Sequence, residues 1–163
     1  MTVRLVREED WQLARDARLG ALAESPAAFL MTLAEEEHSS EEEWRERVRP
    51  TDRRAWFAEA AEDRFDGIVV VAIAEPEPRL AWVFSMWVDP AARRRGVGRR
   101  LVEAALEWAA ERGAARVELE VSEQMGAARR LYSACGFVPT GTTRELPAHA
   151  NATAIRMACD IEG

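Results

Sequence analysis

Hydrophobic and polar positions change period several times along this chain, and each change marks an element. Over residues 2–7, Val3 and Leu5 alternate with polar neighbours, the period of two of a half-buried strand. From Glu8 to about residue 24, Trp11, Ala14, Leu19 and Leu22 fall near one helical face. Pro26 opens a second short helix to about residue 33. Ser39 with Glu42, or Ser40 with Glu43, can form a capping box. Either opens a helix that carries Trp44 and Val48 and stops at Pro50. Residues 54–62, with Trp56, Phe57 and Ala58, read as a strand, and Asp66-Gly67 as a turn. The β-branched run 68–74 predicts a strand buried on both faces, and 80–88 a further apolar strand. Short turns between these three predict an antiparallel meander.

Beyond it the period returns to that of a helix over 98–112, with Leu101, Val102, Ala105, Leu106 and Ala109 inward and Gly113 as the stop. Residues 116–121 alternate cleanly, with Val117, Leu119 and Val121 on one face and Glu118 and Glu120 on the other. A short helix over 126–134 ends at Gly136. Strands at 137–140 and 154–161 follow, joined by a polar loop over 141–153. The order is that of a mixed α+β fold with one βαβ crossover in its middle. Its 163 residues predict a single domain over 1–163.

Charge and cysteine usage narrow the function. The net charge is −7, which disfavours nucleic acid as a partner because phosphate neutralisation needs a basic face. No apolar run approaches the ~20 residues that span a membrane. The start of the chain lacks an apolar signal core, and Cys135 and Cys159 have no metal-like spacing, so free thiols and a cytoplasmic location are expected.

The arginines are concentrated at one joint. An apolar strand ends at Trp87-Val88-Asp89-Pro90, and Arg93-Arg94-Arg95-Gly96-Val97-Gly98-Arg99 leads into the next helix. Unpaired N–H groups at a helix N-terminus suit a phosphate or pyrophosphate. A dinucleotide-binding fingerprint lacks its third glycine here, and a Walker loop needs a lysine, which the chain does not contain. Alone, the joint reads equally as a tight turn with solvated arginines. A second segment, Ala127-Ala128-Arg129-Arg130-Leu131-Tyr132 through Gly136-Phe137, also reads alone as a helix with core residues at its end.

Taken together, the two segments resemble the GNAT superfamily of N-acetyltransferases, which use acetyl-coenzyme A. The family's Arg/Gln-x-x-Gly-x-Gly/Ala loop is matched by Arg93 to Gly98, its strand ending by Val88-Asp89-Pro90, and its Leu-Tyr-x-x-x-Gly-Phe by residues 131–137. The chain departs from the common pattern at Arg94, where many members have Gly, and at Met125, where many have a cofactor-contacting Asn. The resemblance implies a GNAT-like, mostly antiparallel sheet of roughly six to seven strands flanked by helices. It also implies acetyl-CoA as co-substrate and a primary amine, on a small molecule or a protein, as acceptor. Trp87, Val88, Arg93, Arg94, Arg95, Gly96, Val97, Gly98, Arg99, Ala128 and Tyr132 are its cofactor-binding positions, and a homodimer is a family-level expectation.

In this reading the pantetheine arm adds to the strand edge at Trp87 and Val88, the Val88 N–H polarises the thioester carbonyl, and Tyr132 is the general acid. Tyr132 is the only tyrosine. The base stays open among Glu118, Glu120, the Glu35-Glu36-Glu37-His38 cluster and ordered water, and the glutamates lean toward a cationic acceptor. Ser85 is a candidate polar contact, and Trp44, Trp82 and Trp87 are candidates for the acceptor pocket, with core packing as the alternative. His149 in the polar loop and Cys135 beside Gly136 read as surface and structural residues. The competing function is a non-catalytic acyl-CoA-binding sensor or scaffold.

Overall fold

Among the described residues seven strands, β1 (Thr2–Leu5), β2 (Arg53–Ala61), β3 (Arg64–Ile73), β4 (Leu80–Val88), β5 (Arg116–Ser122), β6 (Val138–Glu145) and β7 (Thr153–Asp160), form one sheet in the order β1-β2-β3-β4-β5-β7-β6. The structure is a computed structural model that describes residues 2–29, 31–49, 51, 53–61, 64–146 and 152–161. Neighbouring strands are antiparallel throughout except β4 and β5, which run parallel. The helix α4 (Val97–Glu111) makes the crossover between them, so the α+β fold with a central βαβ unit and a β2–β3–β4 meander is what the chain adopts.

Burial on two faces explains the apolar run in β3. Val69 and Val71 pack toward α4, while Ile68 and Val70 pack toward α1 (Trp11–Glu24). α4 buries Val97, Leu101, Val102, Ala105, Trp108 and Ala109, and Trp108 meets Trp56 of β2 edge-on at 6.2 Å. Val117, Leu119 and Val121 of β5 enter the same core, and α5 (Gly126–Ala134) adds Tyr132.

Three expectations are corrected. The Asp66-Gly67 pair is not a turn but lies inside β3. A Cβ at Gly67 would sit 2.7 Å from the Trp87 carbonyl oxygen and 2.9 Å from Leu101 Cδ1, so glycine serves a close backbone approach there. Residues 26–33 do not form one helix: Pro26–Ala28 make a single 3-10 turn, Phe29 is extended, and α2 (Leu33–Glu36) starts afresh. Its start is a capping box, in which Thr32 Oγ1 accepts from the Glu35 N–H and Glu35 Oε2 accepts from the Thr32 N–H at 2.7 Å. The expected loop after residue 140 is strand up to Glu145, because β6 is an edge strand whose exposed side chains need no apolar alternation. Of the two possible boxes before α3 (Glu41–Val48), Ser40 with Glu43 is used. Pro50 and His149 lie outside the described residues.

A buried ion cluster fixes the first helices to the sheet. Glu36, 3% exposed, accepts from Arg18 Nε at 3.0 Å, Arg18 Nη2 at 2.7 Å and Arg47 Nη1 at 3.2 Å. Arg18 also donates to Ser85 Oγ on β4 at 3.1 Å and lies over the Phe29 ring at 4.5 Å. One carboxylate thus ties α1, α2 and α3 together, and Arg18 carries the tie to β4.

Replacing Glu36 with Gln is expected to lower the unfolding free energy by about 2 kcal/mol or more, because two guanidinium groups lose their counter-charge. Gly67→Ala is expected to destabilise by about 1–3 kcal/mol through overpacking. Gly20→Ala in α1, where a Cβ meets nothing within 4 Å, is expected to stabilise by about 0.5–1 kcal/mol. Urea denaturation of the three variants checks both the sizes and the opposite signs.

Candidate active site

β4 and β5 pair only at their beginnings. Leu80, Ala81 and Trp82 sit opposite Arg116, Val117 and Glu118, and the register goes no further. β5 continues to Ser122 paired with β7 alone, and β4 continues to Val88 paired with β3 alone. A bulge in β4 accompanies the parting. Three residues of β3, Ile68 to Val70, face four of β4, Phe84 to Trp87, and Ser85 takes a left-handed φ of 52°. Successive N–H groups along a strand point to opposite edges. The Asp89 N–H bonds to Asp66 O on the β3 side at 2.8 Å, so the Val88 N–H faces the opened edge.

The loop after β4 is a chain of local constraints. Asp89 Oδ1 accepts from the Ala91 N–H at 2.8 Å and shapes the Asp-Pro turn. Arg94 has φ 62°, a left-handed conformation that disfavours a Cβ by about 1 kcal/mol and accounts for glycine being common there in the resembled family. Gly96, φ 81°, is the N-cap of α4. The first intrahelical bond runs from Arg100 N to Gly96 O, so the N–H groups of residues 97–99 project from the helix end. Gly98 has a packing reason as well: its missing Cβ would lie 2.8 Å from Leu131 Cδ2 and 3.3 Å from Met86 Cε.

The side chains of the loop have distinct environments. Val97 is buried in the core, so only its backbone faces the helix end. Arg99 is paired with Glu103 at 2.9 Å. Arg93 donates to Val88 O at 3.0 Å and to Glu24 Oε2 at 2.8 Å, and the Trp87 indole donates to the same carboxylate at 3.0 Å. Burial pushes the Glu24 carboxyl up, but the hydrogen bonds from Ser25, Trp87 and Arg93 outweigh it and hold the group below its ordinary value. Arg94 and Arg95 are exposed, and no side-chain partner engages them among the described residues.

A cavity of about 480 Å³ reaches through the parted strands. Ile68 and Val70 line it from the α1 face, and Val83, Ala128 and Tyr132 from the α4–α5 face. Ser85, Met86, Val121 and Ser122 line it from the two strands. Met125, the N-cap of α5, is a lining residue too, with an apolar side chain where the resembled family often has an amide. Tyr132 is 6% exposed and its ring meets Phe137 edge-on at 5.9 Å. Burial, with a smaller contribution from Cys135, pushes its phenol well above the ordinary tyrosine value, so it keeps its proton at neutral pH. Trp44 and Trp82 line the cavity, whereas Trp87 does not.

The candidate bases are mostly committed elsewhere. Glu118 pairs with Arg116 at 2.9 Å. Glu120 lines the cavity; burial pushes its carboxyl up, but hydrogen bonds from Arg144 and Arg156 bring it below its usual value. Glu35 is the capping residue of α2, and Glu37 and His38 are exposed. Arg18, Arg47 and Arg53 of the cavity wall were not singled out as site residues in the sequence. The Thr32–Glu35 box was the available signal, since it starts the helix that brings Glu36 to Arg18 and Arg47.

The family profile described as "Acetyltransferase (GNAT) family" matches residues 20–137. A protein named mycothiol acetyltransferase, from Beutenbergia cavernae, is 33% identical over 138 residues, which is 81% of this chain and 42% of that relative. The chain therefore matches about two fifths of that longer protein's length. A GCN5-related N-acetyltransferase from Kribbella flavida superposes with a TM-score of 0.79 at 23% identity, covering 98% of this chain and 96% of that one. The structure of yncA from Salmonella typhimurium with its cofactor acetyl-CoA superposes with a TM-score of 0.81 at 17% identity, covering 100% and 95%. Those two likenesses establish the fold. With its loop, its parted strands and a family profile matched over residues 20–137, the chain belongs to the GNAT acetyltransferase family.

Proposed function

We propose that this chain is an N-acetyltransferase that moves an acetyl group from acetyl-CoA directly to a primary amine. The observation that carries the reading is the parting of β4 from β5, with the N-terminus of α4 following β4 and Tyr132 lining the cavity between the strands. The residues present fit acetyl-CoA. The backbone N–H groups of 94–99 and the positive end of the α4 dipole suit a pyrophosphate, with Arg94 and Arg95 free to add charge. The open edge of β4 at Trp87 and Val88 suits the amides of a pantetheine arm. The Beutenbergia cavernae relative, named an acetyltransferase, supports the same reading.

Bound acetyl-CoA would supply an acetyl thioester, whose carbonyl carbon bonds to the amine nitrogen as its bond to sulfur breaks. The Val88 N–H, directed into the gap, would donate to the carbonyl oxygen as negative charge gathers there. Tyr132 would hold a proton beside the departing sulfur and give it up as the thiolate forms, a group that resembles a cysteine with a pKa of about 8.5, and the proton that the acylated nitrogen sheds, passed through water, would restore the phenol. The amine must arrive neutral, and an alkylammonium near 10 loses its proton to water. Neither Glu118 nor Glu120 serves as base in this account, because ion pairs with Arg116, Arg144 and Arg156 occupy both side chains.

Tyr132→Phe keeps the ring that packs on Phe137 and removes only the proton. It is expected to lower kcat by about a hundredfold or more, with a far smaller change in KM for acetyl-CoA. Thiol release measured with any accepted amine checks this, and an unchanged kcat removes Tyr132 as the acid. Because burial raises the Tyr132 pKa above the ordinary value of 10.0, kcat/KM is expected to rise with pH as the amine deprotonates. No falling limb from the tyrosine is expected below about pH 10. A rate profile in matched buffers reads this directly.

A further inference from the structure

The cavity wall on the α1–α3 side holds more positive charge than it neutralises. Arg18, Arg47 and Arg53 line it there, and among the described lining residues Glu36 is the carboxylate that Arg18 and Arg47 share. Glu36 already accepts three hydrogen bonds from Arg18 and Arg47. Arg53 on β2 lies over the Phe84 ring at 5.2 Å and meets no carboxylate among the described residues. The other acidic lining residue, Glu120, is on β5 and is held by Arg144 and Arg156. Trp44, in the same wall, is buried, and among the described residues its indole Nε1 has no acceptor. The wall therefore has donors and positive charge to spare, in a chain whose net charge is −7. Its floor is apolar, with Ile68, Val70 and Phe84.

We propose that the amine acceptor also carries a carboxylate, which Arg53 receives at the cavity rim on the wall it shares with Arg47, while an apolar side chain lies over Ile68, Val70 and Phe84. A carboxylate matches the planar fork of a guanidinium and supplies the acceptor oxygens this wall lacks. A polyamine would bring further positive charge against it. The glutamates at 35–37, which in the sequence lean toward a cationic acceptor, do not supply that attraction. Glu35 caps α2, Glu36 is neutralised and Glu37 points to solvent. The acceptor class rests on the transfer reading, whereas the carboxylate subsite stands on the wall's own charge.

Two probes that differ only in charge test it: N-acetyl-L-phenylalanine and N-acetyl-L-phenylalaninamide, titrated against the fluorescence of the tryptophans, two of which, Trp44 and Trp82, line the cavity. The acid is expected to bind roughly tenfold tighter than the amide, the scale of a hydrogen bond to a charged group. In Arg53→Gln the ratio is expected to fall to near one, and in Arg53→Lys to stay well above it. No preference for the acid in the native protein, including no binding of the acid, overturns the proposal, as does a full preference retained in Arg53→Gln. Thiol release from acetyl-CoA with L-phenylalanine and its amide, compared per neutral amine, separates the two readings. Release with no amine in a panel that includes both, alongside an intact acid preference in binding, removes the transfer reading and leaves the subsite. Faster release with the amide removes the carboxylate preference and leaves transfer.

Discussion

Three residue pairs join β4 to β5, and the separation of the two strands beyond Trp82 is the constraint on which the site depends. In a regular parallel sheet the edges of Val83–Val88 and Leu119–Ser122 would satisfy each other. Here each strand is paired on one side only, so the β4 edge keeps hydrogen-bonding capacity that a ligand can use. The bulge at Ser85 turns β4 away, and its left-handed backbone is held by the donation from Arg18, which is itself locked by Glu36. A buried ion pair on the helical layer thus stabilises a strained strand position.

The same parting links the two proposed substrates. On one face the opened edge runs into the loop at Arg93 to Gly96 and the start of α4. On the other the cavity lies between the first helices and the meander, where Arg18, Arg47 and Arg53 line it with an apolar floor. Tyr132 stands between, oriented by Phe137 rather than by a polar network. Glu24, at the end of α1, accepts from both Trp87 and Arg93, so the first helix touches β4, the strand proposed to hold the cofactor, as well as the wall proposed for the acceptor.

Much of this was legible in the sequence, for physical reasons that differ by element. α4 and β5 declare themselves because each buries one clean face, and the run in β3 because it is buried on both. The loop was legible through Gly96, whose φ of 81° needs glycine, and α5 through Tyr132 and Gly136. Edge strand β6 was not, since exposure removes the pattern that marks a strand. Gly67 misled because a glycine chosen for contact with the Trp87 carbonyl looks like one chosen for a turn. The Arg18–Glu36–Arg47 cluster was hidden because its members are 18 and 11 residues apart, and charge on a helix usually means solvent.

Amide hydrogen exchange with and without acetyl-CoA tests the central claim most directly. The account predicts slowed exchange at the N–H groups of Val88 and of residues 94–99, with the β1–β2 edge unchanged. Binding of acetyl-CoA with no slowing at those amides would contradict it.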